Sequence, residues 1–197
     1  KSTLTSKKNM SLEKKIGLKT NWLPIFEAKL LPQTKLTSAK IIFKVESKKG
    51  KSKFIVNKKR STGKNKERKN KLLEFPGGKI DAGERPITAL IREIEEEDPS
   101  GVLKSVLLED LQKSKKAKYK IINLKNGERH LLVLCPMAYE SWKELERFWK
   151  NKREKIKEVR RISLVDLKTL DINHNYQYLI WTPKSRKILR ALRFSVS

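Results

Sequence analysis

Residues 75–98, FPGGKIDAGERPITALIREIEEED, place a glycine-rich turn before a helix that carries both a core face and an acidic face. Leu72-Leu73-Glu74-Phe75 reads as a strand entering Pro76-Gly77-Gly78, where glycines let backbone carbonyls approach a metal or substrate closely. Pro86 suits the first helical position, so the spacing predicts a helix from Pro86 to about Glu97 that stops before Pro99. Ile87, Leu90, Ile91 and Ile94 recur at i, i+3, i+4, i+7 and form its buried stripe. Glu93, Glu96 and Glu97 share another face and repel one another. A cation normally offsets such a cluster, and hard divalent ions prefer oxygen ligands. Arg92 is placed to orient a neighbouring carboxylate, and Glu84, just before the helix, is within reach of the same ion cluster.

Outward from this segment, Ile41–Val45 and Phe54–Val56 read as strands joined by the turn-like Lys48-Lys49-Gly50-Lys51. Residues 57–71 hold almost no apolar side chain and read as an exposed basic loop. Val106–Leu108 and Tyr119–Leu124 are further strand candidates, and Asn126-Gly127 signals a hairpin into Leu131–Leu134. Residues 141–160 are helix-like, 162–164 a short strand, and 184–193 a basic C-terminal helix. Strands and helices mix without a repeat, which predicts an α/β domain over residues 39–197 behind a basic N-terminal extension, residues 1–38. Trp22, Leu23, Ile25 and Phe26 are expected to anchor part of that extension to the body.

The charge balance points to a polyanionic partner: Lys and Arg number 48 against 22 Asp and Glu, a formal net charge of +26. Nucleic acid, inositol polyphosphate and an anionic surface all fit. No apolar stretch approaches the length of a membrane-spanning helix. The lone Cys135 excludes an internal disulfide and sits in an apolar run, as a packing residue rather than a nucleophile.

The segment 75–98 resembles the signature of the Nudix hydrolases. That pattern is Gly, five residues, Glu, seven residues, then Arg-Glu-aliphatic-any-Glu-Glu-any-Gly-aliphatic. Gly78, Glu84, Arg92, Glu93, Ile94, Glu96 and Glu97 fall on it. Pro99 takes the later Gly position and Gly101-Val102 come two residues late, as if the helix exit carried a small insertion. The resemblance implies a Nudix-type α/β/α sandwich with a mixed sheet, and metal-dependent hydrolysis of a nucleoside diphosphate linked to another group. It implies Mg²⁺ or Mn²⁺ held by Glu93, Glu96, Glu97 and the Gly77 carbonyl, with Glu84 as a direct or outer ligand and Arg92 orienting Glu93. A downstream glutamate often serves as general base in this family, which makes Glu154 and Glu158 candidates.

Phe75-Pro76-Gly77-Gly78-Lys79-Ile80-Asp81 is similar both to the mRNA-decapping branch and to the branch that cleans oxidised nucleotides. The basic clusters at 48–71, 113–120, 150–161 and 184–193 favour a long polyanion, so the expected substrate is the 5′ cap of RNA. Lys79, Arg60, Arg153 and Arg160 are candidate phosphate contacts. Trp142, Trp149, Tyr176 and Trp181 are candidates to stack on a cap base. Diphosphoinositol and dinucleoside polyphosphates are the alternative substrates, and an RNA-binding module on an inactive scaffold is the alternative class. A monomer is expected. The start at Lys1, the Lys-rich tail and the single cysteine resemble secreted Nudix effectors of plant-pathogenic fungi and oomycetes, which implies a cytoplasmic site of action in a host cell.

Overall fold

In the computed structural model, residues 14, 21–28, 31, 36–46, 52–59, 72–114, 116–151, 161–171 and 180–194 are described. Arg60, Arg153, Glu154, Glu158, Arg160 and Tyr176 lie outside them, as does the Lys48–Lys51 turn. Strands are β1 (Leu23–Pro24), β2 (Ser38–Glu46), β3 (Ser52–Lys59), β4 (Leu72–Glu74), β5 (Gly77–Lys79), β6 (Lys118–Asn123), β7 (Arg129–Met137) and β8 (Arg161–Asp166). Helices are α1 (Ile25–Ala28), α2 (Pro86–Glu97), α3 (Val102–Glu109), α4 (Tyr139–Asn151), α5 (Leu167–Leu170) and α6 (Pro183–Phe194). The sheet runs β1-β6-β7-β2-β3-β4, with β5 against β2 and β8 against β3. Only β2–β7 is parallel among these pairs; the rest are antiparallel, so the sheet is mixed.

Alternation along β2 sends Ala39, Ile41, Phe43 and Val45 to one core and Ile42 to the other. The first core takes Ile87, Leu90 and Ile94 of α2, Leu103 and Leu107 of α3, and Trp142 and Leu145 of α4. The second takes Leu167 and Leu170 of α5, and Trp181, Ile188, Leu189 and Leu192 at α6. The result is the expected α/β/α sandwich. Leu90 and Ile94 have no exposed surface, and burial of each contributes about 2 kcal/mol. No helix among the described residues is long and apolar enough to cross a membrane.

Two expectations change. Val106–Leu108 lies inside α3, not in a strand. The buried Asp98 carboxylate accepts from Ser100 N at 3.1 Å and Leu103 N at 2.9 Å, so the late Gly101-Val102 pair starts a new helix. Val102, Leu103 and Leu107 then supply the helical stripe that a strand reading misses. Next, residues 57–59 continue β3 instead of opening a loop, because β4 and β8 both pair with this stretch. As expected, part of the N-terminal stretch is anchored to the body. Leu23 and Pro24 pair with Tyr119 and Lys118, and Ile25 is fully buried. Leu23 and Phe26, by contrast, remain exposed.

Candidate active site

The site sits where the sheet opens. β2 pairs with β3 over Lys44–Glu46 but with β5 over Ser38–Lys40, while β3 pairs with β4 over Asn57–Lys59. β2 and β3 therefore part, and the β4–Pro76–β5 segment fills the gap, pinned by Ile41 N donating to Pro76 O at 3.0 Å. Lys40, Asn57, Glu74 and Gly77 all lie at this opening, and α2 runs beside it.

Gly77 has a φ of 106°, and a Cβ there would meet Ala39 O at 2.4 Å. Its N–H donates to Glu97 Oε2 at 2.9 Å, and Asn57 Nδ2 donates to the same oxygen at 2.8 Å. Those two bonds fix Glu97, which is only 6% exposed. Gly78 serves Glu93: an added Cβ would fall 2.0 Å from that carboxylate. The glycines thus make room for the Ala39 carbonyl and the Glu93 carboxylate.

Arg92 holds the acidic side chains in register. It grips Glu84 with two hydrogen bonds of 3.0 Å and donates to Glu93 Oε1 at 3.1 Å, Glu96 Oε1 at 3.3 Å and Lys79 O at 3.1 Å. The Arg92 hydrogen bond is the main reason the Glu84 carboxyl is held below its usual pKa, burial acting in the opposite sense. Glu84 in turn drives Arg92 further into its charged form.

Lys40 is a buried cation that composition and spacing did not single out. Its ammonium donates to the Gly77 carbonyl and reaches Glu74 Oε1 at 3.3 Å, with the two side chains 3% and 10% exposed. Replacing Glu74 by Met leaves this charge without its counter-ion and is expected to lower stability by about 2 kcal/mol. Urea unfolding measures that loss, and the Lys40→Met/Glu74→Met double variant should recover most of it. Lys184, half-buried in the first turn of α6, has its pKa lowered by burial first and by Lys40 second. α6 is anchored to this region by Thr182 N donating to Leu73 O at 2.9 Å and by Phe75 N donating to Ser185 Oγ at 3.4 Å.

His130 on β7 lies 2.5 Å from Ser38 Oγ through Nδ1, while Nε2 faces Glu128 Oε2 at 3.4 Å without the alignment of a hydrogen bond. Burial, followed by the Lys184 charge, lowers its pKa from the ordinary 6.5. The stability tied to neutral His130 is complete above pH 6.5 and is lost as pH falls through the lowered value, because the unfolded chain takes the proton more readily. Thermal melts from about pH 7.5 to 5.5 should therefore show a larger fall in Tm for the native chain than for His130→Gln.

Could these residues accept a divalent cation? Among the described residues, Asn57 Oδ1 and Glu74 Oε2 are buried oxygens without a hydrogen-bond partner, in a region whose other donors are carboxylates and a carbonyl. An all-oxygen set with unsatisfied acceptors matches Mg²⁺ or Mn²⁺. Among the described residues no three acidic, His or Cys donors already converge on one point. Arg92 engages Glu93 and Glu96, and Lys40 engages Glu74 and the Gly77 carbonyl. A divalent cation held by Glu93 would have to compete with Arg92 for that carboxylate.

The three helix glutamates differ in setting. Glu97 is buried, Glu93 is 16% exposed and Glu96 is 60% exposed at the solvent edge. Lys79 is exposed on β5. Trp142 packs in the first core at 8% exposure, and Trp181 is fully buried against Phe75 with ring centroids 5.0 Å apart. Both indoles are packing residues rather than stacking platforms. Cys135 is fully buried, and burial pushes its thiol pKa up. Asn57, Glu74 and Lys40 went unnoticed in the sequence; the one available signal was a lysine and a glutamate inside otherwise apolar strands.

Comparison with known proteins adds three findings. The NUDIX domain family matches residues 35–182. An 8-oxo-dGTP diphosphatase of Haemophilus influenzae is 58% identical over 40 residues, a match covering 20% of this chain and 29% of that protein. Similar solved structures include a mutT/nudix family protein from Listeria innocua, with 17% identity, 84% of this chain and 94% of that one covered, and a TM-score of 0.45. A C. elegans Ap4A hydrolase binary complex has 14% identity, 80% and 95% coverage and a TM-score of 0.41.

Proposed function

We propose that this chain, which belongs to the Nudix hydrolase family, its domain spanning residues 35–182, hydrolyses phosphoanhydride bonds and that its substrate is the 5′ cap of RNA. The reaction rests on one observation: Glu93 and Glu97, a helical turn apart, are each fixed by separate donors beside the Gly77–Gly78 turn. Family members generally require a divalent metal, and Glu93, Glu96 and Glu97 are the side chains assigned here to hold Mg²⁺ or Mn²⁺. When bound, the cation neutralises polyphosphate charge and lowers the pKa of a coordinated water.

The chain's own residues do the rest. Asn57 and the Gly77 amide orient Glu97. Arg92, tied to Glu84, aims Glu93 and gives up part of its grip as the site loads. Lys40, Lys184 and exposed Lys79 add positive field for the developing phosphate charge. Water oxygen bonds to a bridge phosphorus, the P–O anhydride bond breaks, and the products are a capped nucleotide and a 5′-phosphorylated RNA, with the water proton released to solvent.

Support for RNA comes from the net charge of +26, which exceeds what a free nucleotide needs. A second reading, hydrolysis of an oxidised purine nucleoside triphosphate, is favoured by the 58% identity over 40 residues to an 8-oxo-dGTP diphosphatase. Incubation with capped RNA, 8-oxo-dGTP, a dinucleoside polyphosphate and an inositol pyrophosphate, followed by mass spectrometry of the products, separates the readings. Release of capped nucleotide supports the first. Turnover of 8-oxo-dGTP with capped RNA intact overturns it in favour of the second.

A further inference from the structure

We infer that a second pocket, formed by Trp22, Lys44, Lys116, Lys118, Leu134 and Pro136, binds a nucleotide of single-stranded RNA downstream of the reacting end. The pocket has a volume of about 410 Å³, within the ~300–1,000 Å³ range of small-ligand sites. This inference deepens the RNA reading and rests on it.

The pocket follows from strand register. Lys118 of β6 stands opposite Leu134 of β7, and Lys44 of β2 opposite Pro136. Lys44 and Lys118 therefore flank an apolar floor, two strand spacings across and two residues along the sheet, or about 12 Å apart. Leu134 and Trp22 pack at the border of the second core, and Lys116 and Lys118 are exposed. Trp22 immediately precedes β1, whose Pro24 pairs with Lys118, so the indole is tied to the same edge of the sheet. Cations on the sides and an indole with Leu and Pro beneath them suit a base between phosphates. Aromatic side chains stack on any base, and lysines neutralise the backbone. An acidic peptide uses the lysines but gains little from the indole and the floor.

The spacing to the reaction site is also informative. Lys44 lies four residues along β2 from Lys40, on the same side of the strand, a distance of about 13 Å. Ile42, which stands between them on that side, is fully buried in the second core, so the pocket is a site separate from the α2 carboxylates. The Lys44–Glu46 pair, 2.9 Å apart with Glu46 57% exposed, is a rim contact that an incoming phosphate readily replaces.

The test uses the full chain and a fluorescent, uncapped, 5′-monophosphorylated oligouridylate in EDTA, so that binding is read without turnover. Lys116→Gln/Lys118→Gln removes two phosphate contacts. The slope of log K against log salt should fall in magnitude by about 1.4, and affinity at about 0.1 M salt should drop roughly 25-fold. Trp22→Phe should retain binding, whereas Trp22→Ala should lose about tenfold with little salt dependence. Hydrolysis of a dinucleoside polyphosphate by the lysine variant should remain at the native rate. An unchanged slope and affinity in the lysine variant overturns the inference. So does displacement of the RNA by a polyglutamate of equal charge at equal concentration. If oligouridylate binding depends on the pocket but capped RNA is not cleaved, the substrate assignment falls and the pocket stands. If capped RNA is cleaved equally well by both proteins, the pocket falls and the substrate stands.

Discussion

Replacing Glu97 by Gln is expected to cut hydrolysis about 10³-fold, or ~4 kcal/mol of barrier, with little change in folding stability. The carboxylate is buried and accepts from Asn57 Nδ2 and Gly77 N through one oxygen. Glutamine keeps an oxygen for those donors and fills the same volume. It loses the negative charge that a divalent cation needs from a buried ligand. Two measurements separate the effects: turnover of whichever substrate the panel identifies, and Mn²⁺ uptake followed by electron paramagnetic resonance. A variant that keeps more than about a tenth of native turnover and binds Mn²⁺ normally would show that Glu97 is a structural anchor for the Gly77 turn and nothing more. Urea unfolding is the control, since a loss of several kcal/mol would mean the turn itself had collapsed.

The second large effect is on folding. Gly77→Ala should destabilise the protein by about 4 kcal/mol, combining backbone strain with overpacking. The φ of 106° is one that L side chains rarely adopt, and the new Cβ would lie 2.4 Å from a backbone oxygen and 3.1 Å from Leu90 Cδ1. Ala39 O belongs to the central strand β2, so it has little freedom to retreat. Gly83 is the matched control: its φ is also positive, at 80°, but no heavy atom lies within 4 Å of an added Cβ. Gly83→Ala should cost about 1 kcal/mol. Equal losses at the two positions would show that backbone strain alone, rather than the close approach of β2, fixes glycine at Gly77.

How much of this was legible beforehand depends on whether the information was local. The helix Pro86–Glu97 was read to its observed ends, because an N-terminal proline, a 3.6-residue apolar stripe and a following proline all act within one element. The β6–β7 hairpin followed from Asn126-Gly127 for the same reason. Val106–Leu108 was misread because three apolar residues do not distinguish a strand from a buried helix. What decides the matter is the Asp98 carboxylate reaching forward to Leu103 N.

The acidic face of α2, the adjoining glycines and the excess of cations were fixed by the order of residues alone, since charge and helical spacing need no partner to be read. Only the folded chain decided that Asn57 and the Gly77 amide hold Glu97, that Lys40 meets Glu74 behind the turn, and that Trp142 is core while Trp22 borders a pocket. Those contacts join strands far apart in sequence where β2 and β3 diverge, and the free energy that sets them is the requirement that each buried charge find a partner.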